Sequence, residues 1–216
     1  MIPGRLPTYT VKQLEAKAVE FLGEASADRP VDIELLVESR GVADLDIWPK
    51  LRRNHDILGA VFVDLKTQAL TIFIDDDLAD HYRNRNVYRI TVAEELAHCL
   101  IHREVIESLR SVDDFRELHR HPQWHEIDHD AKRLGAALLM PARAVIDEAE
   151  MLYGRMVRLV GYGNAAAIQK QLCNTLADRF EVSPNAMNRR LREWPMKVYE
   201  KVDAAIAARL DFLGDP

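Results

Sequence analysis

The order in which hydrophobic periods change along the chain predicts an α+β fold. Two segments with helical spacing come first, a short stretch of β-rich runs follows, and every pattern after residue 90 is helical. Strands gathered in one stretch, instead of alternating with helices, predict a small antiparallel sheet packed against helices. The chain's 216 residues, 48% of them hydrophobic, suffice for one domain with its own core and a small appendage.

Each element has its own signal. Residues 10–24 place Val11, Leu14, Ala18, Phe21 and Leu22 at helical spacing, and Gly23 is a natural stop. RPVDIELLVESRG (29–41) predicts a second short helix, ended by Gly41 after Arg40. ILGAVFVDL (57–65) and ALTIFID (69–75) are β-rich runs separated by KTQ, the pattern of a hairpin, and ADLDIWP (43–49) alternates well enough to lie beside them. Helical patterns then cover 91–106, 126–139, 142–153, 164–180, 184–193 and 196–212, with breaks at Pro141 and Gly161. This organisation predicts a main domain over 1–160 and a C-terminal helical segment over 161–216 packed on it.

Composition narrows the function classes. No apolar run approaches the roughly 20 residues that span a bilayer, and the first 25 residues lack the apolar segment of a signal peptide. A cytoplasmic location is therefore expected, with Cys99 and Cys173 reduced. A formal charge of −6 argues against a protein that coats nucleic acid over its whole surface, although NRRLREWPMK (188–197) is locally basic.

The chemistry concentrates in RITVAEELAHCLIHRE (89–104). Glu94, His98 and His102 follow at i, i+4 and i+8 and share a helix face, with Glu95 offset by one residue. In an H-E-x-x-H helix, two ligands one turn apart hold a metal, and the adjacent carboxylate takes a proton from metal-bound water. Here Glu94 stands in the first ligand position. The same residues also admit a purely structural reading, in which Thr91 caps the helix and Thr91-x-x-Glu94 forms a capping box.

A second segment, DHDAKRLGAALLMP (128–141), changes the weight of the first. Together with RITVAEELAH (89–98) it resembles the paired motifs of the ImmA/IrrE metallopeptidase-like family, R-F-T-x-A-H-E-x-G-H and E-x-x-A-N-x-F-A-x-x-L-L-M-P. The departures are Ile90 for Phe, Glu94 for the first His and Ala97 for Gly. In the second motif Asp128 replaces Glu, Lys132 replaces Asn, Leu134 replaces Phe and Gly135 replaces Ala. The resemblance implies a zincin-like minimal peptidase core acting on a regulatory protein such as a helix-turn-helix repressor. Carried over by position, it makes Glu95 the catalytic acid/base, makes His98, Glu94 and Asp128 the metal ligands, and gives His102 a supporting role. The implied cofactor is a divalent metal, Zn²⁺ first.

Two departures bear on that cofactor. A donor set of two carboxylates and one imidazole is richer in oxygen than a usual zinc protease site and tolerates Mn²⁺ or Fe²⁺ better. Asp128 is also one methylene shorter than Glu, so its helix must approach about 1 Å closer for ligation. Three outcomes stay open. Glu94 ligates, or His119, His121, His125 or His129 supplies the missing imidazole, or the metal is lost and Glu94 caps the helix. The last would leave a non-catalytic regulator that binds a protein partner or DNA.

NTLADRFEVSPNAMNRRLREW (174–194) reads as helix, turn, helix, with Ser183 as the second helix's N-cap. It resembles a helix-turn-helix, which would make Arg189, Arg190 and Arg192 candidate contacts to DNA or a partner. Glu181 replaces the usual turn glycine.

Overall fold

A computed structural model of the chain describes residues 6–213 except 28, 65, 80, 110 and 194, with the backbone alone at 27, 81–83, 112, 160 and 209–213. Helix α1 (Val11–Leu22) begins at a capping box, in which Thr10 N–H donates to Gln13 Oε1 at 2.8 Å and Gln13 N–H donates back to Thr10 Oγ1 at 3.3 Å. Helix α2 (Ile33–Arg40) starts at Asp32, whose carboxylate accepts from Leu35 N–H at 3.0 Å, and ends at Gly41 in the left-handed conformation.

Strands β1 (Asp44–Trp48), β2 (Gly59–Val63) and β3 (Leu70–Asp75) form one sheet in the order β1-β3-β2. The hairpin forms as expected: β2 and β3 run antiparallel, with Gly59 opposite Ile74 and Val63 opposite Leu70. The sheet is mixed, however, because β1 pairs with β3 in parallel. A short helix, α3 (Leu51–His55), lies between β1 and β2. Alternation sorts the two faces. Leu70, Ile72, Ile74 and Val61 enter the core, while Trp48, Phe62 and Phe73 cluster on the other face with ring centroids 5.3–5.9 Å apart.

After α4 (Asp76–Ala79) comes the long α5 (His81–Ile101), which bends at Asn84. Then follow α6 (Arg103–Ser108), α7 (Val112–Arg120), α8 (Trp124–Leu139) and α9 (Ala142–Val160). The centre of the fold is the crossing of α5 and α8, with α1 against the far side of α8 and the sheet against α5. Val92, Leu96, Ala131, Leu134 and Leu138 are fully buried there. Helices α10 (Ala165–Phe180), α11 (Pro184–Arg192) and α12 (Val198–Leu213) contribute Leu176, Phe180, Met187 and Leu191 to the same continuous core. A smaller cluster of Leu6, Val105, Leu118 and Ile127 supports α7 and Trp124. Among the described residues no helix is long and apolar enough to cross a membrane.

Gly135 sets how closely α5 and α8 cross. A Cβ at this position would lie 3.0 Å from the backbone C and O of Ala93 and from the N of Glu94. We expect Gly135→Ala to wedge the helices apart and cost about 1–3 kcal/mol, read as a lower denaturant midpoint.

Candidate active-site cleft

The helix carrying the first motif starts ten residues, nearly three turns, earlier than its pattern predicts. Thr91 is not an N-cap: it lies inside α5, and its Oγ1 donates to the Val87 carbonyl at 2.9 Å. The earlier turns are held by tertiary contacts, not by apolar periodicity. The Arg89 guanidinium is buried and donates to the carbonyls of Val31 (2.9 Å) and Glu181 (3.2 Å). The capping box between Thr91 and Glu94 is thereby excluded. Glu94 therefore does not take the capping role that its sequence also allowed.

The helix also stops earlier than expected. Its regular hydrogen bonding ends at Ile101, and His102 takes a non-helical backbone before α6 begins. His102 is 1% exposed. The Nδ1 atoms of the two rings are 3.1 Å apart, so one ring donates to the other. Burial, and then the neighbouring His98, push His102 down to about 3. His102 thus props His98 from behind. The Tyr9 hydroxyl closes this corner by donating to the Ile101 carbonyl at 2.9 Å.

Glu94, Glu95, His98 and Asp128 line one cleft of about 350 Å³, together with Lys132. One wall is the chain entering and forming β2, residues 57–61. The opposite wall is aromatic. Trp124 lies parallel to the His98 ring at 6.0 Å, His119 is 4.1 Å from Trp124, and Phe115 is 4.3 Å from His119. Glu95 sits beneath Gly59, where a Cβ would come within 2.8 Å of the Glu95 Cγ and 2.7 Å of the Thr91 Cγ2. The absence of a side chain at Gly59 is what lets the strand lie over this carboxyl.

The electrostatics follow from enclosure. Burial pushes Glu95 up to about 8, with Glu94 and Asp128 adding repulsion. Burial likewise lifts Glu94 to about 7, against the pull of Lys132, while Asp128 adds repulsion. His98 is driven down to about 4 by burial, with Asp128 opposing. Near neutral pH this cleft therefore keeps the His98 imidazole neutral and holds protons on Glu94 and Glu95 more firmly than water does.

The sequence-predicted ligands reach a common cleft but are not gathered as ligands. Among the described residues, the only three His, Cys or carboxylate donors within 4.8 Å of one another are those of Asp75, Asp76 and Asp77, at the end of β3. Two of the trio hold backbone donors of the neighbouring α3 region: Asp75 accepts from Arg52 N–H at 2.7 Å, and Asp76 accepts from Lys50 N–H at 2.8 Å. Asp128 is instead held by Lys132 Nζ at 2.6 Å. Of the four histidines considered as a replacement imidazole, His119 alone lines the cleft, with its Nδ1 2.8 Å from the Phe115 carbonyl. His125 and His129 are exposed on α8, and the His121 Nδ1 accepts from Gln123 N–H at 3.2 Å. The residues missed at the sequence level are Trp124, Phe115 and Gly59. The density of aromatic and histidine residues over 115–129 hints at Phe115 and Trp124, and nothing local hints at Gly59.

The three arginines of α11 fare differently. Arg189 is exposed. Arg192 is exposed as well, with its guanidinium over the Tyr199 ring at 4.9 Å. Arg190 is 4% exposed, forms a two-pronged ion pair with Glu15 of α1, and donates to the Met140 carbonyl at 3.1 Å. Its candidacy as an external contact is corrected by that burial, since its donors are already used inside the fold.

No curated protein matches the chain significantly. A family model described as the IrrE N-terminal-like domain of the M78 peptidases matches residues 58–192, from the cleft-forming strand β2 to the end of α11. That match takes in every lining residue of the cleft except Ile57 and more than half of the chain, and the chain belongs to this metallopeptidase-like family.

Proposed function

We propose that the chain is a peptidase-fold receptor that takes an extended segment of a regulatory protein into the cleft beside β2 and holds it without metal-assisted hydrolysis. The observation that carries this reading is the state of the donors. The family implies a divalent metal, yet Glu94, His98 and Asp128 do not converge as a ligand set, and Lys132 is bonded to Asp128. As arranged, these residues do not fit a resident metal ion. The cleft itself is complete.

Strand β2 lies at the edge of the sheet, so an extended segment can add beside it through main-chain hydrogen bonds. Successive side chains of such a segment point alternately into the cleft and away from it. Leu58, Ile106, Leu109, Phe115, Leu118 and Trp124 line the cleft and favour a large apolar side chain at the inward position. A regulatory protein, of the helix-turn-helix repressor kind, is the partner class the family suggests. The chain's net charge of −6 disfavours DNA in that role.

One observation favours hydrolysis as the second reading. Glu95 and His98 keep the spacing of a general base and a ligand one turn apart, and both face the cleft. Zn²⁺, Mn²⁺ and Fe²⁺ are the metals to supply in testing it.

The test is selection of peptides from a random display library against the full chain, followed by binding and mass analysis with and without each metal. We expect apolar-containing peptides that bind, remain intact, and lose at least ten-fold in affinity in Trp124→Ala. Cleavage at one bond, abolished by Glu95→Gln, would establish the second reading. Recovery of no binding peptide would overturn the receptor.

A further inference from the structure

Lys132 occupies an unusual place for a lysine. It lies one helical turn beyond Asp128 on α8, with its Nζ 2.6 Å from the Asp128 Oδ2. A pair at this spacing on an exposed helix face is commonplace. This one borders a cleft whose wall also carries the carboxyls of Glu94 and Glu95. Among the described residues lining this cleft, Lys132 is the only lysine or arginine, and Arg189 acts on Glu94 from the α11 side. Its charge acts on Glu94, Glu95 and His98 together. Lys132 also lines the adjoining cavity of about 240 Å³ between α8 and α11, where Glu94 appears again. The ammonium therefore stands where the two cavities share the Glu94 wall.

We propose that Lys132 is a built-in cation that takes the place of a metal at this site, engaging Asp128 and disfavouring entry of a divalent ion. Two physical effects combine. With Oδ2 bonded to the ammonium, Asp128 has only Oδ1 to offer a metal unless it releases the lysine, which forfeits a charge-assisted hydrogen bond. The released ammonium then remains tethered one turn away, and its positive charge repels an incoming cation across a partly desolvated cleft. A cation carried on the side chain offsets the carboxylate charge and leaves no open coordination position. This deepens the reading of the cleft as a metal-independent binding site and rests on it.

The experiment uses the full chain, stripped with chelator and titrated with Zn²⁺ alone by calorimetry, with bound metal counted after dialysis. Wild type and Lys132→Arg should take up less than one equivalent after dialysis. Lys132→Gln should bind one equivalent at least ten-fold more tightly than wild type. The gain should vanish when His98→Ala is added, which localises it to the cleft. Lys132 is 45% exposed, so its replacement leaves the core intact, and a thermal melt of each variant checks this. Tight uptake of one equivalent by wild type overturns the proposal whatever the variants do. So does a Lys132→Gln protein that binds Zn²⁺ no better than wild type. Peptide binding beside β2 is measured separately without metal, so the receptor reading stands or falls on its own experiment.

Discussion

Replacing Arg190 by alanine should destabilise the fold by about 3–5 kcal/mol, the usual cost of removing one partner from a buried ion pair. The guanidinium sits between three elements. It pairs with Glu15 on α1 and donates to the carbonyl of Met140 where α8 ends, while its own backbone belongs to α11. Deleting it leaves the largely buried Glu15 carboxylate and the Met140 carbonyl without their donor. The neighbouring arginines provide an internal control. Arg189→Ala removes an exposed side chain and should change stability by less than about 0.5 kcal/mol. Arg192→Ala loses a contact over the Tyr199 ring, worth about 0.5–1 kcal/mol at an exposed site. Chemical denaturation of the three variants should therefore give one large shift and two small ones. Equal small shifts in all three would refute the structural role given to Arg190. Any loss of nucleic-acid or partner binding in Arg190→Ala would report loosening of α11, whereas in Arg189→Ala it would report a contact.

The difference between these arginines shows where sequence reading loses its grip. Arg189, Arg190 and Arg192 are equally basic on a helix whose N-cap, Ser183, was legible and forms as expected, accepting from Ala186 N–H at 3.1 Å. Which of them turns inward depends on Glu15, 175 positions away, and nothing local encodes that pairing. The hairpin was legible because apolar alternation and a polar turn are local properties. The direction of β1 was not, because alternation reads the same in parallel and antiparallel pairs. Thr91 misled for a related reason. A threonine before an apolar period matches an N-cap, but the turns of α5 preceding it are secured by Arg89 and its bonds to Val31 and Glu181. The four residues that the paired motifs single out, Glu94, Glu95, His98 and Asp128, line one cleft. They could not show that Lys132, one turn beyond Asp128, would be bonded to it.

Glu95 should make the metal-free protein less stable as the pH rises above neutrality, and Glu95→Gln should remove most of that loss. In the folded chain, burial, with Glu94 and Asp128 nearby, holds this carboxyl at about 8, whereas in the unfolded chain it returns to about 4.5. Between those values the folded state keeps a proton that the unfolded state has released, so stability falls as pH rises. At about 1.4 kcal/mol per pH unit, Glu95 alone accounts for about 2 kcal/mol between pH 6.5 and 8. Glu94, held at about 7 by burial, adds to the early part of the same decline. The two histidines act in the opposite direction. With folded values near 4 for His98 and 3 for His102, the unfolded chain binds their protons first as pH drops below about 6.5, and stability is lost toward acid. Between about 4.5 and 6.5 the two effects oppose each other, so the stability profile should be flat there and fall on both sides. Urea denaturation across pH 4 to 8 in the presence of chelator measures the profile. Glutamine keeps the shape of Glu95 and cannot ionise, so its profile should lose the Glu95 share of the alkaline decline while keeping the acid one. A wild-type profile that stays level from pH 6.5 to 8 would mean that Glu95 ionises freely in the folded protein, and the carboxyl beneath Gly59 would then have to be in contact with water.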